Sequence, residues 1–179
     1  MSIGKVYLIG AGPGDPDLIT RKGLRHIQSA DVIIHDRLIP VELLDEARPD
    51  ALLIDAGKKP TKHRLSQDVI NETIVEHALK GKKVVRLKGG DPLVFGRGSE
   101  EALICHNYGI YFEIVPGISS SYAVPAYAGI PLTHRHVSSS FTVITGHEDP
   151  TKPETSINYA ALATIGGTIV ILMGVKRLP

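Results

Sequence analysis

Two glycine-rich stretches carry an Asp-Pro pair in matching positions. They are Gly10-Ala11-Gly12-Pro13-Gly14-Asp15-Pro16 and Gly89-Gly90-Asp91-Pro92. Each follows an apolar run and precedes a helical pattern, so each is expected to turn a strand into a helix. In an open α/β sheet, ligands bind at the carboxyl ends of strands, near the point where strand order reverses. Glycine there lets the backbone approach a ligand closely. The first stretch half fits a dinucleotide fingerprint, with Asp36 ending the next strand. However, G-x-G-x-x-G requires glycine where Asp15 stands, and Pro13 removes an N–H from the turn that would cradle a pyrophosphate. Asp15 and Asp91 would both repel phosphate. Acids at both turns favour a ligand that is cationic or offers hydroxyl and amino donors. A nucleoside with a positive centre and no phosphate meets that description, and S-adenosylmethionine is the expected cofactor. The competing reading is a pair of ordinary tight turns whose aspartates cap helices.

Other side chains could do chemistry. Asp36 ends a strand on the same side as the glycine turns. The segment KKPTKHR (58–64) concentrates basic groups in a chain whose 20 Lys+Arg otherwise balance 19 Asp+Glu. Arg97 has Glu100 three residues on, about one helical turn away, and Arg135 lies in LTHRH. Taken alone, Asp36 reads equally as a capping or salt-bridging acid beside Arg37, and Lys58 as a solvated loop lysine. Arg97 and Glu100 read as a surface ion pair worth a few tenths of a kcal/mol. His134 and His136 sit at i and i+2 with no Cys or acid to complete a tetrahedral set, so no metal site is expected. The single Cys105 excludes an internal disulfide and reads as a small buried residue. Balanced charge and few aromatic residues argue against nucleic acid as a partner. The longest apolar run, TIVILMGV (168–175), falls well short of the ~20 residues that cross a bilayer. A soluble, cytoplasmic protein is expected.

The elements that would position these groups alternate. Apolar runs at 5–10, 31–36, 51–56, 83–88 and 112–115 predict strands. Between them, 17–30, 40–47, 66–81 and about 99–108 predict helices. The helix at 66–81 has the clearest signals, with Ser66 as cap, a stripe of Ile70, Ile74, Val75, Ala78 and Leu79, and Gly81 as its end. Strands apolar on both faces and separated by helices predict a parallel sheet covered on both sides. The α/β pattern spans 1–116. Residues 117–179 add a helix containing Pro125, two strands (141–146 and 168–173) and a short helix. That is too little for an independent core, so this part is expected to be the start of a second α/β domain, cut short.

Taken in order, VYLIGAGPGDPDLIT, HDRLI, GKK, VVRLKGGDPLVFGRGSEE, VPGISSSYAVPAYAGIPLTHR, TGHE and MGVKRL resemble the tetrapyrrole methylase family. They are most similar to its branch acting on uroporphyrinogen III. The resemblance covers essentially the whole chain. It implies two α/β domains, a homodimer, and S-adenosylmethionine folded between the domains, with S-adenosylhomocysteine as product. It implies methylation of uroporphyrinogen III at C2 and then C7, giving precorrin-2. Cofactor contacts carry over to Pro13, Gly89, Gly90, Asp91, Val94 and Met173. They carry over also to Ser119 and Ser120, where relatives often place Thr-Ala or Thr-Ser. Asp36 matches the family's proton acceptor and Lys58 its proton donor. Arg97, Glu100 and Arg135 match positions for binding and processing a substrate with eight carboxylates, and Arg suits carboxylates because it binds them bidentately. A methylase of a later precorrin shares these features. So does an inactive fragment of such an enzyme.

Overall fold

The structure, a computed structural model, describes residues 2–57, 66–148, 151–152 and 154–175. Lys58 and the basic stretch 58–64 lie outside the described residues. The chain divides into two compact units, Met1–Ser119 and Ser120–Pro179.

The first unit is a five-stranded sheet in the order β3-β2-β4-β1-β5. Its strands are β1 (Lys5–Gly10), β2 (Val32–His35), β3 (Leu52–Asp55), β4 (Lys83–Lys88) and β5 (Tyr111–Val115). Every pairing is parallel. β1 and β4 run in register from Lys5 opposite Lys83 to Gly10 opposite Lys88. Both glycine turns therefore leave the same end of adjacent central strands.

Helices cover both faces. Val6, Leu8, Val32, Ile34 and Val84 pack against α3 (Gln67–Leu79) and α4 (Gly98–Asn107), through Ile70, Ile74, Val75, Ala78, Ala102 and Cys105. On the opposite face Tyr7, Ile9, Ile33, Val85 and Leu87 pack against Ile27 of α1 (Arg21–Ile27) and Leu43 of α2 (Glu42–Asp45). Alternating residues of each strand thus serve alternating layers. Three local expectations need correction. The helix expected over 17–30 is divided, because Asp15 caps a short 3-10 turn at Pro16–Leu18 and Thr20 then starts α1 by accepting the Gly23 N–H at 3.0 Å. β3 is an edge strand with Leu52 and Leu53 exposed rather than buried. Leu79, placed in the α3 stripe, is also exposed. The α3 caps are as expected: Ser66 accepts the Val69 N–H, and Gly81 follows the helix at φ +79°.

Cys105 is fully buried in the layer beneath α4, and burial pushes its thiol up to about 11. The thiolate is the reactive form, so the folded chain is expected to resist iodoacetamide at mildly alkaline pH and to react fully in urea. Rapid labelling of the native chain would contradict this burial. Because the folded thiol titrates later than the unfolded one, its contribution to stability is lost only as pH rises from about 9 towards 11.

The second unit contains α5 (Ser120–Tyr127), β6 (Phe141–Thr145), α6 (Tyr159–Ile165) and β7 (Thr168–Leu172). β6 and β7 pair in parallel from Phe141 opposite Thr168 to Thr145 opposite Leu172. Pro125 lies inside α5. Asn158 starts α6 by accepting the Ala161 N–H at 2.9 Å.

Candidate active site

The ends of β1 and β4 are tied together by backbone. Ala11 N–H donates to Lys88 O at 2.7 Å, Gly90 N–H to Gly12 O at 2.7 Å and Gly12 N–H to Gly90 O at 3.2 Å. The two glycine turns therefore continue the sheet for one further antiparallel bridge. The loop after β5 joins them through Asp91. Its Oδ1 accepts the Leu93 N–H at 2.8 Å and its Oδ2 accepts the Gly117 N–H at 3.0 Å. Asp91 thus bonds its own turn and the β5 loop, a role the sequence did not announce. Asp15 accepts the Asp17 N–H at 2.9 Å.

Glycine is required where these chains cross. A Cβ on Gly10 would stand 2.5 Å from both Gly117 Cα and Gly90 O. Gly14 and Gly90 differ: both have positive φ, and a Cβ on either would meet nothing within 4 Å. Each therefore leaves open space in which a ligand can approach the backbone. Pro13, Gly89, Gly90, Asp91 and Val94 border this end of the sheet, with Val94 exposed. Ser119 is buried and closes the first unit.

Arg97 precedes α4 in a left-handed conformation, φ 56°. Non-glycine residues keep such a backbone only when their surroundings impose it. Its Nε and Nη2 donate to the two carboxylate oxygens of Glu100, each at 2.7 Å. These hydrogen bonds raise the Arg97 guanidinium and lower the Glu100 carboxyl relative to their ordinary values. Both side chains are about half exposed. Ser120, Arg135 and Met173 belong to the second unit. Arg135 is exposed, and Met173 follows β7 at φ 59°.

Asp36 leads to residues that the sequence did not single out. It follows β2 and is about one-third exposed, and its Oδ1 accepts from Arg86 Nη2. Arg86 is only 2% exposed. Its Nη1 donates to the carbonyls of Ile34 at 3.3 Å and Leu87 at 3.2 Å, and its Nε donates to Glu101 Oε1 at 2.9 Å. Glu101 is fully buried. Lys88 Nζ stands 3.0 Å from both Glu101 oxygens, aligned as a hydrogen bond to Oε1, and Gln67 Nε2 donates to the same oxygen at 3.3 Å. Burial, reinforced by Arg86, lowers the Lys88 ammonium below its ordinary value, while Glu101 and Asp36 oppose the shift. Two cations and two carboxylates form a chain from the α3/α4 layer to the end of β2.

A signal for this network was present in the sequence. Val84, Arg86 and Lys88 share one face of a strand expected to be covered on both sides, and two like charges on a covered face require buried anions. Of the adjacent acids Glu100 and Glu101, the first faces Arg97, which leaves the second to point inward.

The model of the family "Tetrapyrrole (Corrin/Porphyrin) Methylases" matches residues 5–179. A protein of Methanosarcina barkeri (strain Fusaro / DSM 804), named S-adenosyl-L-methionine-dependent uroporphyrinogen III methyltransferase, is 57% identical over 98% of this chain, which spans 69% of that protein. Two solved structures are also similar. Uroporphyrin-III C-methyltransferase from Thermus thermophilus, complexed with S-adenosylhomocysteine, matches with TM-score 0.74 and 38% identity, covering 97% of this chain and 72% of the other. A cobalt precorrin-4 methyltransferase of cobalamin biosynthesis matches with TM-score 0.81 and 33% identity, covering 96% and 70%. The parallel sheet, the bridged glycine turns and these likenesses agree, and the chain belongs to the tetrapyrrole methylase family.

Proposed function

We propose that this chain catalyses S-adenosylmethionine-dependent C-methylation of uroporphyrinogen III at C2 and C7, giving precorrin-2. The observation that carries this reading is the 57% identity over 98% of the chain to a protein named for that methyl transfer. The open backbone at Gly14 and Gly90 admits close approach of a cofactor, while Asp15 and Asp91 bond backbone N–H groups, as the capping reading of these turns expects.

When bound, the cofactor supplies an electrophilic methyl group in line with an electron-rich pyrrole carbon. The chain's part is alignment and electrostatics. Pro13, Gly89, Gly90, Asp91, Val94, Ser119, Ser120 and Met173 are the proposed cofactor contacts. After methylation the ring carries positive charge and must lose a proton, and Asp36 at the end of β2 is the proposed acceptor. Lys58 is the proposed donor. Arg97, Glu100 and Arg135 are proposed for the substrate, whose carboxylates would compete with Glu100 for the fork of Arg97. A homodimer in the cytoplasm completes the reading. Among the described residues no helix is long and apolar enough to cross a membrane.

Titration of the chain with S-adenosylhomocysteine in a calorimeter tests the cofactor site. Binding near a micromolar dissociation constant, about −8 kcal/mol, is expected. Asp91→Ala frees the Gly117 and Leu93 N–H groups and is expected to weaken binding by tenfold or more, at about 1.4 kcal/mol per tenfold. A well-folded chain that binds no S-adenosylhomocysteine and leaves uroporphyrinogen III unmethylated would sink the reading.

A further inference from the structure

The buried charge chain behind Asp36 lies outside every cofactor and substrate contact named above. It links four elements: Gln67 of α3, Glu101 of α4, Arg86 and Lys88 of β4, and Asp36 after β2. A guanidinium that is 2% exposed and bonded on three sides by protein has no freedom to reach a ligand. What it can do is hold a carboxylate. Its planar fork fixes direction as well as distance, so the angle at which it meets Asp36 depends on what grips its other nitrogens. Two of those grips are carbonyls of β2 and β4, and the third is Glu101. Glu101 is therefore the only side chain among the described residues, besides Asp36 itself, that bonds Arg86.

We infer that Glu101 is a positioning residue for the proton-accepting carboxylate: it sets the orientation of Arg86 and, through it, of Asp36. Lys88 is the counter-charge that allows a second carboxylate under the sheet, since the four groups sum to zero. The arrangement also joins the two sides of the reaction. Glu101 and Glu100 lie in the first turn of α4, which Arg97 precedes, and both Glu N–H groups point to Arg97 O, at 3.5 and 3.1 Å. One face of that turn carries the proposed carboxylate-binding pair, and the other grips Arg86. This inference rests on the proposed role of Asp36 in methyl transfer.

The test is the double variant Glu101→Leu with Lys88→Met. It removes one buried charge of each sign and keeps their volume, an exchange that folded proteins often accept without loss of stability. Arg86 keeps Asp36 and its two carbonyls. The expected result is a cooperatively folded chain whose midpoint is only modestly lowered by the unpaired Arg86 Nε–H, with unchanged S-adenosylhomocysteine affinity and unchanged KM. Against these, kcat falls by about 100-fold, the scale of a 1 Å misplacement of a reacting group. In ¹³C,¹⁵N-labelled protein the Asp36 carboxyl resonance moves and the Arg86 Nε–H loses its protection from exchange. A merely structural ion pair predicts wild-type kcat, and that outcome would overturn the inference. If the wild-type chain shows no methylation at all, the proposed activity fails, while the Asp36 resonance in Glu101→Asp, which keeps every charge, still decides the role of Glu101. Should the double variant not fold, Glu101→Asp keeps the charge and shortens the reach by one methylene. The same shift in the Asp36 resonance is expected of it, and an unmoved resonance counts against the inference.

Discussion

Replacing Glu101 by glutamine is expected to destabilise the chain by about 3–5 kcal/mol at neutral pH, read from the urea midpoint. The amide has the shape of the carboxylate and can still accept from Arg86 Nε, so packing is nearly unchanged. What is lost is charge. Arg86 and Lys88 are left beneath the sheet with Asp36 as their one anion, and removing one partner of a buried pair costs far more than removing both. Lys88 sets the pH dependence. Burial already holds its ammonium below the ordinary value of 10.5, and without Glu101 the neutral amine becomes still more favourable in the fold. The unfolded chain then binds more protons than the native one, so stability rises with pH. The deficit of the variant should therefore be largest near neutrality and shrink as pH climbs towards 10.5. Midpoints measured at neutral and alkaline pH check this. A deficit that is small, or independent of pH, would show that Lys88 and Glu101 are not paired as described.

Gly117→Ala is expected to abolish cofactor binding while costing about 1–3 kcal/mol of stability. Its new Cβ would lie 2.2 Å from Gly90 O and 2.6 Å from Gly10 Cα. Those are backbone atoms of the two glycine turns and cannot rotate away as a flexible side chain would. The loops must separate, breaking the Gly12–Gly90 bridge and the bond from Gly117 N–H to Asp91. Gly109→Ala is the matched control. That residue has φ +65°, and a methyl added there would meet nothing within 4 Å. It therefore carries a conformational cost of about 1 kcal/mol with no collision at the strand ends. Calorimetry with S-adenosylhomocysteine should find binding lost in the first variant and kept in the second. Equal binding by both would mean that the three-loop junction does not shape the site.

The fold was legible where local chemistry decides it. The runs at 5–10 and 83–88 became adjacent parallel strands as their alternation with helical patterns leads one to expect, and Ser66 and Gly81 bound α3 as their types require. It was not legible where position in the sheet decides. ALLIDA has the composition of a buried strand, yet it lies at the edge because β2 takes only one partner on that side. Thr20 could be read as lying inside a longer helix or as the cap that begins one, and only the fold selects between them. In the site, the glycine turns and the Arg97–Glu100 pair were visible as patterns. Arg86 and Glu101 were not singled out: two cations alternating onto a covered face call for a buried anion, but which acid answers them depends on α4 lying over β4. Asp91 was visible as an acid near a ligand, but its bond to the Gly117 N–H depends on a loop 26 residues away.

The strand order also governs how the chain can fold. β1 is made first but pairs only with β4 and β5, and Lys5 meets Lys83 and Tyr111 across gaps of 78 and 106 residues. At about 5–20 residues per second, its apolar segment waits on the order of 4–16 s before a partner strand is synthesised. No early hairpin can shelter it, because parallel neighbours need a crossover. Such long-range pairing slows folding and prolongs exposure. The first strand of this sheet is therefore a natural client for chaperones during synthesis, and refolding should lag well behind that of a helical protein of similar length.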